Sequence, residues 1–187
     1  MYVPAAFQVE DLDVLHDFIE RHSFATLVTS VDRRPFATHL PLLLDRTRGE
    51  FGTLLGHVAK PNSHWRGLEA QAESLAIFHG PHAYISPSWY RGDAPAVPTW
   101  NYAVVHAYGP AQSISDERWI DELLERMVAT YEADFDHPWR YDMSATLRKQ
   151  FLQGVVGVEL IELDRHINDL AFAEAAAQKL LELIERR

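Results

Sequence analysis

Residues 80–109 read GPHAYISPSWYRGDAPAVPTWNYAVVHAYG, and this stretch decides the fold. Ala83–Ser86 and Tyr102–Gln112 have strand composition, and Pro87, Gly92, Pro95 and Pro98 punctuate the connection between them. The stretch is a pair of strands joined by a long Pro-rich loop. It also gathers Tyr84, Tyr90, Tyr102, Trp89, Trp100, His82, His106 and Asn101 into one run. An ordinary strand pair does not need so many flat rings with polar handles. A wall for a flat, partly polar ligand does, because rings give large contact area at low entropic cost and their OH and NH tips demand partners. A packed hairpin under an aromatic lid explains the same residues, and both readings stand at this point.

Upstream, Glu10–His22 predicts an amphipathic helix with Leu12, Leu15, Phe18, Ile19 and His22 on one stripe. Phe24–Val31, Phe36–Leu44, Phe51–Val58 and Leu75–Gly80 predict strands, the first two joined by a turn at Asp32–Pro35. Pro41 cannot donate to a ladder, so it belongs at an edge or bulge where backbone groups are free for a ligand. Pro61-Asn62-Ser63 predicts a short helix reaching about Ala70. Downstream, a helix capped by Ser115 or Asp116 runs to about Tyr131, and a shorter one spans about Ser144–Phe151. A strand at Val155–Leu163 and a final helix over about 169–186 follow. Antiparallel-looking strands with inserted helices predict an α+β, mainly β, fold or a small barrel, in one domain spanning 1–187.

The 187 residues are 47% hydrophobic and 24% charged, a globular composition, with a net charge of −10. That charge weighs against direct DNA binding, which needs a basic footprint. With no cysteine, disulfides, thiolate zinc sites and thiol nucleophiles are excluded. No leader pattern or membrane-spanning apolar run is present, so the expected location is cytoplasmic.

Six of the ten histidines fall between His39 and His106. His79-x-x-His82 is interrupted by Gly80-Pro81 and has no carboxylate or thiol in ligand spacing, so no metal site is expected. Haem on an axial histidine is an open alternative. Gly56-His57-Val58-Ala59-Lys60-Pro61-Asn62-Ser63 ends a strand and opens a helix, a setting that suits an anion, although it lacks a P-loop glycine pattern. No activated nucleophile is marked, and no catalytic residue is assigned. His82 and His106 are candidates for protonation near neutral pH.

Met1-Tyr2-Val3-Pro4, His39-Leu40-Pro41-Leu42, the Gly56–Asn62 block, GPHAYISPSWY at 80–90, and Val97–Tyr102 with His106 occur in that order. The set resembles the PaiB-type family of FMN-binding negative transcriptional regulators, over about residues 1–160. That family is similar to the wider FMN-binding split barrels, including the pyridoxamine-phosphate oxidases. The resemblance implies a six-stranded Greek-key split β-barrel with peripheral helices, a homodimer, and FMN at the subunit interface. It implies that His39, Leu40 and Pro41 line the flavin ring and that His57, Lys60 and Asn62 lie near the phosphate. Tyr84, Ser86, Trp89, Trp100, Asn101 and His106 would complete the pocket, on the same chain or from its partner. It also implies a regulator with flavin redox capacity. A flavin-dependent oxidoreductase without a DNA-binding role, or a haem-binding barrel, are the alternatives. The likeness breaks at one place. The family carries a Lys-x-Ser-Gln-Asn-like segment after the last strand, whereas this chain has Asp164-Arg165-His166-Ile167-Asn168-Asp169-Leu170. Weaker retention of FMN is the expected consequence.

Overall fold

Helix α1 (Leu12–Arg21) begins where Asp11 caps it, its Oδ1 accepting the backbone N–H groups of Asp13 at 2.9 Å and Val14 at 3.2 Å. The computed structural model describes residues 3–4, 7–68, 73–90, 96–161 and 164–167. Leu15, Phe18 and Ile19 bury the predicted stripe of α1, together with His16, whose Nε2 donates to the Phe51 carbonyl at 2.8 Å.

Strands β1 (Phe24–Val31) and β2 (Arg34–Pro41) form an antiparallel hairpin. The turn is tighter than Asp32–Pro35, because Pro35 already pairs with Ser30. Only Asp32 and Arg33 turn, at φ 51° and 61°, the two-residue loop with both central residues left-handed that suits a twisted hairpin.

The expected single strand Phe36–Leu44 is broken at Leu42. β2 stops at Pro41, β3 (Leu43–Asp45) follows, and the Leu42 N–H donates to the Ser23 carbonyl at 2.9 Å. The chain changes partners here: β2 pairs with β1, whereas β3 pairs with β4 (Thr53–Ala59). Gly56 of β4 makes room for the bend. A Cβ there would lie 2.7 Å from Leu42 Cδ2 and 3.1 Å from the Pro41 carbonyl oxygen.

The expected strands Leu75–Gly80 and Ala83–Ser86 are one strand, β5 (Glu73–Ile85), with a register shift between His79 and His82. Gly80 sits at that bulge because the Phe18 ring presses on it; a Cβ would lie 2.5 Å from Phe18 Cζ. β6 (Thr99–Ile114) pairs with β5 along its first part and with β7 (Val155–Ile161) through Ala111–Ile114. β7 pairs in turn with β4.

The resulting order is β2-β1-β5-β6-β7-β4-β3. This is a split barrel of two half-sheets that share the long strand β6, mainly β and antiparallel. The path has seven strands, not the expected six, and β8 (Asp164–Ile167) adds to β6 opposite Val105–Tyr108. The path is open, but only Leu42 separates its two end strands in the chain. Leu27, Leu40, Leu54, Phe78, Val105 and Leu160 fill the interior, and α1 lays Phe18 on it.

α2 (His64–Leu68) starts three residues after Pro61, so the proline precedes the helix instead of opening it. α3 (Glu117–Tyr131) is capped by Asp116, which accepts the Trp119 N–H at 2.8 Å, and α4 (Ala145–Gln153) by Ser144. The end of the predicted 61–70 helix and the predicted 169–186 helix lie outside the described residues. No helix among the described residues is long and apolar enough to cross a membrane.

Candidate functional site

Residues directly opposite each other in an antiparallel sheet point to the same face. Thr26 of β1 pairs with His39 of β2 and Ile77 of β5, and Ile77 pairs with His106 of β6. His39, Thr26, Ile77 and His106 therefore form one row across four strands, on the face turned away from the core. The row spans three strand spacings, about 14 Å. A second row, Ala37, Val28, Leu75 and Tyr108, runs beside it. Every side chain of the two rows is exposed or half-buried. His39 is held in place: its Nδ1 lies 3.0 Å from Thr26 Oγ1, and its ring stacks on Phe24 with centroids 6.5 Å apart.

Farther along β5 and β6 the same register pairs Tyr84 with Trp100 and His82 with Tyr102. These four rings share one face of the ribbon. His82 stacks on Trp100 at 5.8 Å and Tyr84 tilts against it at 6.2 Å. Tyr84 is 47% exposed and Trp100 56%, so the rings form an open surface and no core. Trp89 is exposed at the end of the short turn Pro87–Trp89, which Ser86 organises by accepting the Ser88 N–H at 3.2 Å. Asn101 lies opposite Ala83 on the other face of the ribbon, half-buried.

The remaining expected residues fall elsewhere. Leu40, 3% exposed, turns its side chain to the barrel core between His39 and Pro41 and pairs with Ala25 of β1. Half-buried Pro41 ends β2, and among the described strands only β1 pairs with β2. The edge on which His39 and Pro41 lie thus keeps backbone groups for a ligand. Lys60 is exposed; its N–H donates to the Gly154 carbonyl at 2.7 Å and its carbonyl accepts Trp65 Nε1–H at 3.0 Å. Asn62 Nδ2 donates to Thr38 Oγ1 at 3.1 Å while its Oδ1 accepts the His64 N–H at 3.0 Å.

Thr38 and His64 were not among the sequence candidates. His64 Nδ1 lies 2.8 Å from Thr38 Oγ1, its ring packs on Phe36 at 5.0 Å, and its Nε2 is buried without a hydrogen-bond partner. The short Asn62-to-His64 loop is an Asx turn, a signal that the sequence does carry. His57 turns away from the barrel interior towards α3 and lines a cavity there, with Nδ1 buried and unpartnered. Burial pushes the imidazoles of His57 and His64 below the ordinary histidine range. Among the described residues no three His, Asp or Glu side chains converge as a metal cage.

A family model described as "Putative FMN-binding domain" matches residues 1–164. The chain belongs to this PaiB-type FMN-binding family. The "Protease synthase and sporulation protein PAI 2" of Bacillus subtilis (strain 168) is 39% identical over 161 residues, covering 86% of this chain and 76% of the relative. Among solved structures, the PaiB-type chain is similar in fold to the flavocytochrome Anf3 from Azotobacter vinelandii, with TM-score 0.66, 16% identity, and coverage of 90% and 72% of the two chains. It is similar also to the FAD and heme binding protein from Mycobacterium smegmatis, with TM-score 0.59, 16% identity, and coverage of 90% and 79%. At those identities the structural likeness of the PaiB-type chain speaks for the split barrel alone.

Proposed function

We propose that this chain binds FMN as a homodimer, with the flavin between the His39–Pro41 edge of one copy and the aromatic ribbon of the other. The observation that carries the reading is the exposed face itself. His39, Thr26, Ile77 and His106 run across it, and Tyr84, Trp100, His82 and Tyr102 continue it, with apolar Val28, Leu75 and Phe24 half-buried or exposed among them. A face this apolar and aromatic invites a cover. The residues fit a flavin. Trp100 and Tyr84 offer ring faces for stacking, the free edge of β2 offers backbone groups for the ring's polar rim, and Lys60 with Asn62 offers donors for a phosphate. Within the ribbon, Trp89 and Ser86 shape the far wall and His106 closes the row; Asn101 and His57 would take part only through side chains that turn from their present directions.

FMN would supply one- or two-electron transfer; the protein supplies position and electrostatics. His39 orients against the ring edge through its bond to Thr26, and the paired aromatic strands exclude water. The regulatory role that the family resemblance implies would be indirect. The net charge of −10 opposes an extended surface for the DNA backbone. Residues 132–144 also separate α3 from α4 too widely for a helix-turn-helix.

The test is an absorbance titration of purified apoprotein with FMN, alongside sedimentation. Saturable flavin binding by a dimer, weakened at least tenfold in Trp100→Ala, is expected. A monomer indifferent to FMN, or a Soret band in the purified protein, overturns the reading.

A further inference from the structure

We propose that the cavity between β4, α3 and α4 is a second binding site, for a small neutral aromatic molecule of the phenol or indole class whose polar group bonds His57 Nδ1. The cavity measures about 270 Å³ and is lined mostly by apolar surface, including Met127 and Tyr131 of α3, Trp139 and Tyr141 of the following connection, and Phe151 of α4. An apolar cavity of about 150 Å³ accommodates benzene, so this one suits one or two fused rings.

Few polar groups reach it, and most are committed. The Tyr131 hydroxyl donates to Ser23 Oγ at 2.8 Å. The Tyr141 hydroxyl donates to Asp121 Oδ1 at 3.1 Å, and Glu132 accepts the Trp139 N–H at 2.7 Å. His57 Nδ1 is left, buried and without a hydrogen-bond partner. A buried nitrogen in that state is costly and rare, and a ligand would satisfy it. Rotation into the barrel is closed to it, because Leu54 and Val58 of the same strand fill that side.

The cavity is built and held. Asp121 of α3 grips Arg148 of α4 through both carboxylate oxygens, with Nε 2.5 Å from Oδ1, and the Arg148 guanidinium lies 5.0 Å from the centre of the Tyr141 ring. This clamp fixes α4 and the connection over the opening without filling it. α4 buries none of its own residues, and Phe151 and Leu147 stay exposed. The electrostatics select a neutral guest. Glu132 lines the site, Asp121 bonds the Tyr141 hydroxyl at its edge, and the Arg148 guanidinium is already paired with Asp121, so these groups favour a neutral guest over an anion. Burial keeps the His57 imidazole uncharged near neutral pH, able to accept from an N–H or O–H.

Indole and indene have nearly the same shape, and only indole carries an N–H. Ligand-observed NMR titrations of the full chain with each should show saturable binding, with indole at least fivefold tighter. His57→Leu should bring the two to parity, and Val128→Trp, which fills the cavity, should abolish both. The comparison of the two probes on the wild-type chain needs no variant to fold. Failure of indole to bind at millimolar concentration overturns the proposal, as does an indole preference that survives His57→Leu. Displacement of indole by FMN would assign the cavity to the flavin and end the case for a separate site. The proposal does not depend on FMN binding, so a chain that ignores FMN and takes indole supports it.

Discussion

His39 Nδ1 and Thr26 Oγ1 meet at 3.0 Å across the β1–β2 ladder, on the sheet face that carries the proposed flavin wall. The bond joins two side chains that the core does not use. His39→Ala should therefore leave the unfolding free energy within about 1 kcal/mol of wild type. Thr26→Val, which removes the orienting hydroxyl but keeps the strand shape, should change it by a similar amount. FMN affinity should fall at least tenfold in His39→Ala and a few-fold in Thr26→Val. Flavin fluorescence quenching gives the affinities and urea melts the stabilities. Equal loss of both quantities would mark His39 as structural only.

Gly56 should resist substitution. A Cβ there meets Leu42 Cδ2 at 2.7 Å and the Pro41 carbonyl at 3.1 Å, and the carbonyl cannot swing aside as a side chain can. Gly56→Ala should cost about 1–3 kcal/mol, typical of overpacking. A lower urea midpoint with an unchanged slope is the expected signature.

Glu159 is 3% exposed and holds its charge between Arg48 Nη1 at 2.8 Å and Gln112 Nε2 at 3.1 Å. Arg48→Met would strand a buried carboxylate and should destabilise by about 3 kcal/mol. Adding Glu159→Gln should recover most of that loss. Urea denaturation of the single and double variants decides it, and additive losses would argue against a coupled pair.

Stability should fall in mild acid. Burial lowers the folded-state pKa of His57 and His64, and of His22, where the nearby Arg21 adds to the effect. The unfolded chain then binds more protons than the folded one below about pH 6.5. Each such histidine contributes stability that is complete above the unfolded value and is lost as pH drops towards the folded one, by up to about 1.4 kcal/mol per pH unit. Melting temperatures between pH 7.5 and 5 should decline, and less steeply in His57→Gln. A flat profile would show that these rings are protonated without penalty.

Local signals made much of this fold legible. Of the two caps that the sequence offers for α3, Ser115 and Asp116, Asp116 takes the position, and the helix runs to Tyr131 with its apolar stripe buried. Phe24–Val31 is rich in β-branched residues and forms a strand. The break at Leu42 is hidden because Leu40 to Leu44 reads as one apolar run, and only the tertiary exchange of partners divides it. β8 was hidden for the opposite reason: Asp164-Arg165-His166-Ile167 has neither alternation nor β-branched richness, and its pairing comes from the exposed edge of β6. In the site, the aromatic identities were legible but their facing was not. A strand offers two faces, and whether His57 looks into the barrel or towards α3 depends on which of its neighbours the core takes.

The single residue between β2 and β3 ties the two half-sheets into one mechanical unit. A slip of β2 by one position against β1 would turn His39 inward and Leu40 outward. It would also drag β3 along β4 and push the Pro41 bend off Gly56, the one place in β4 where it fits. The alignment of the face carrying His39 and Thr26 is thereby checked by packing on the opposite side of the barrel. An error in one half-sheet cannot persist without breaking the other.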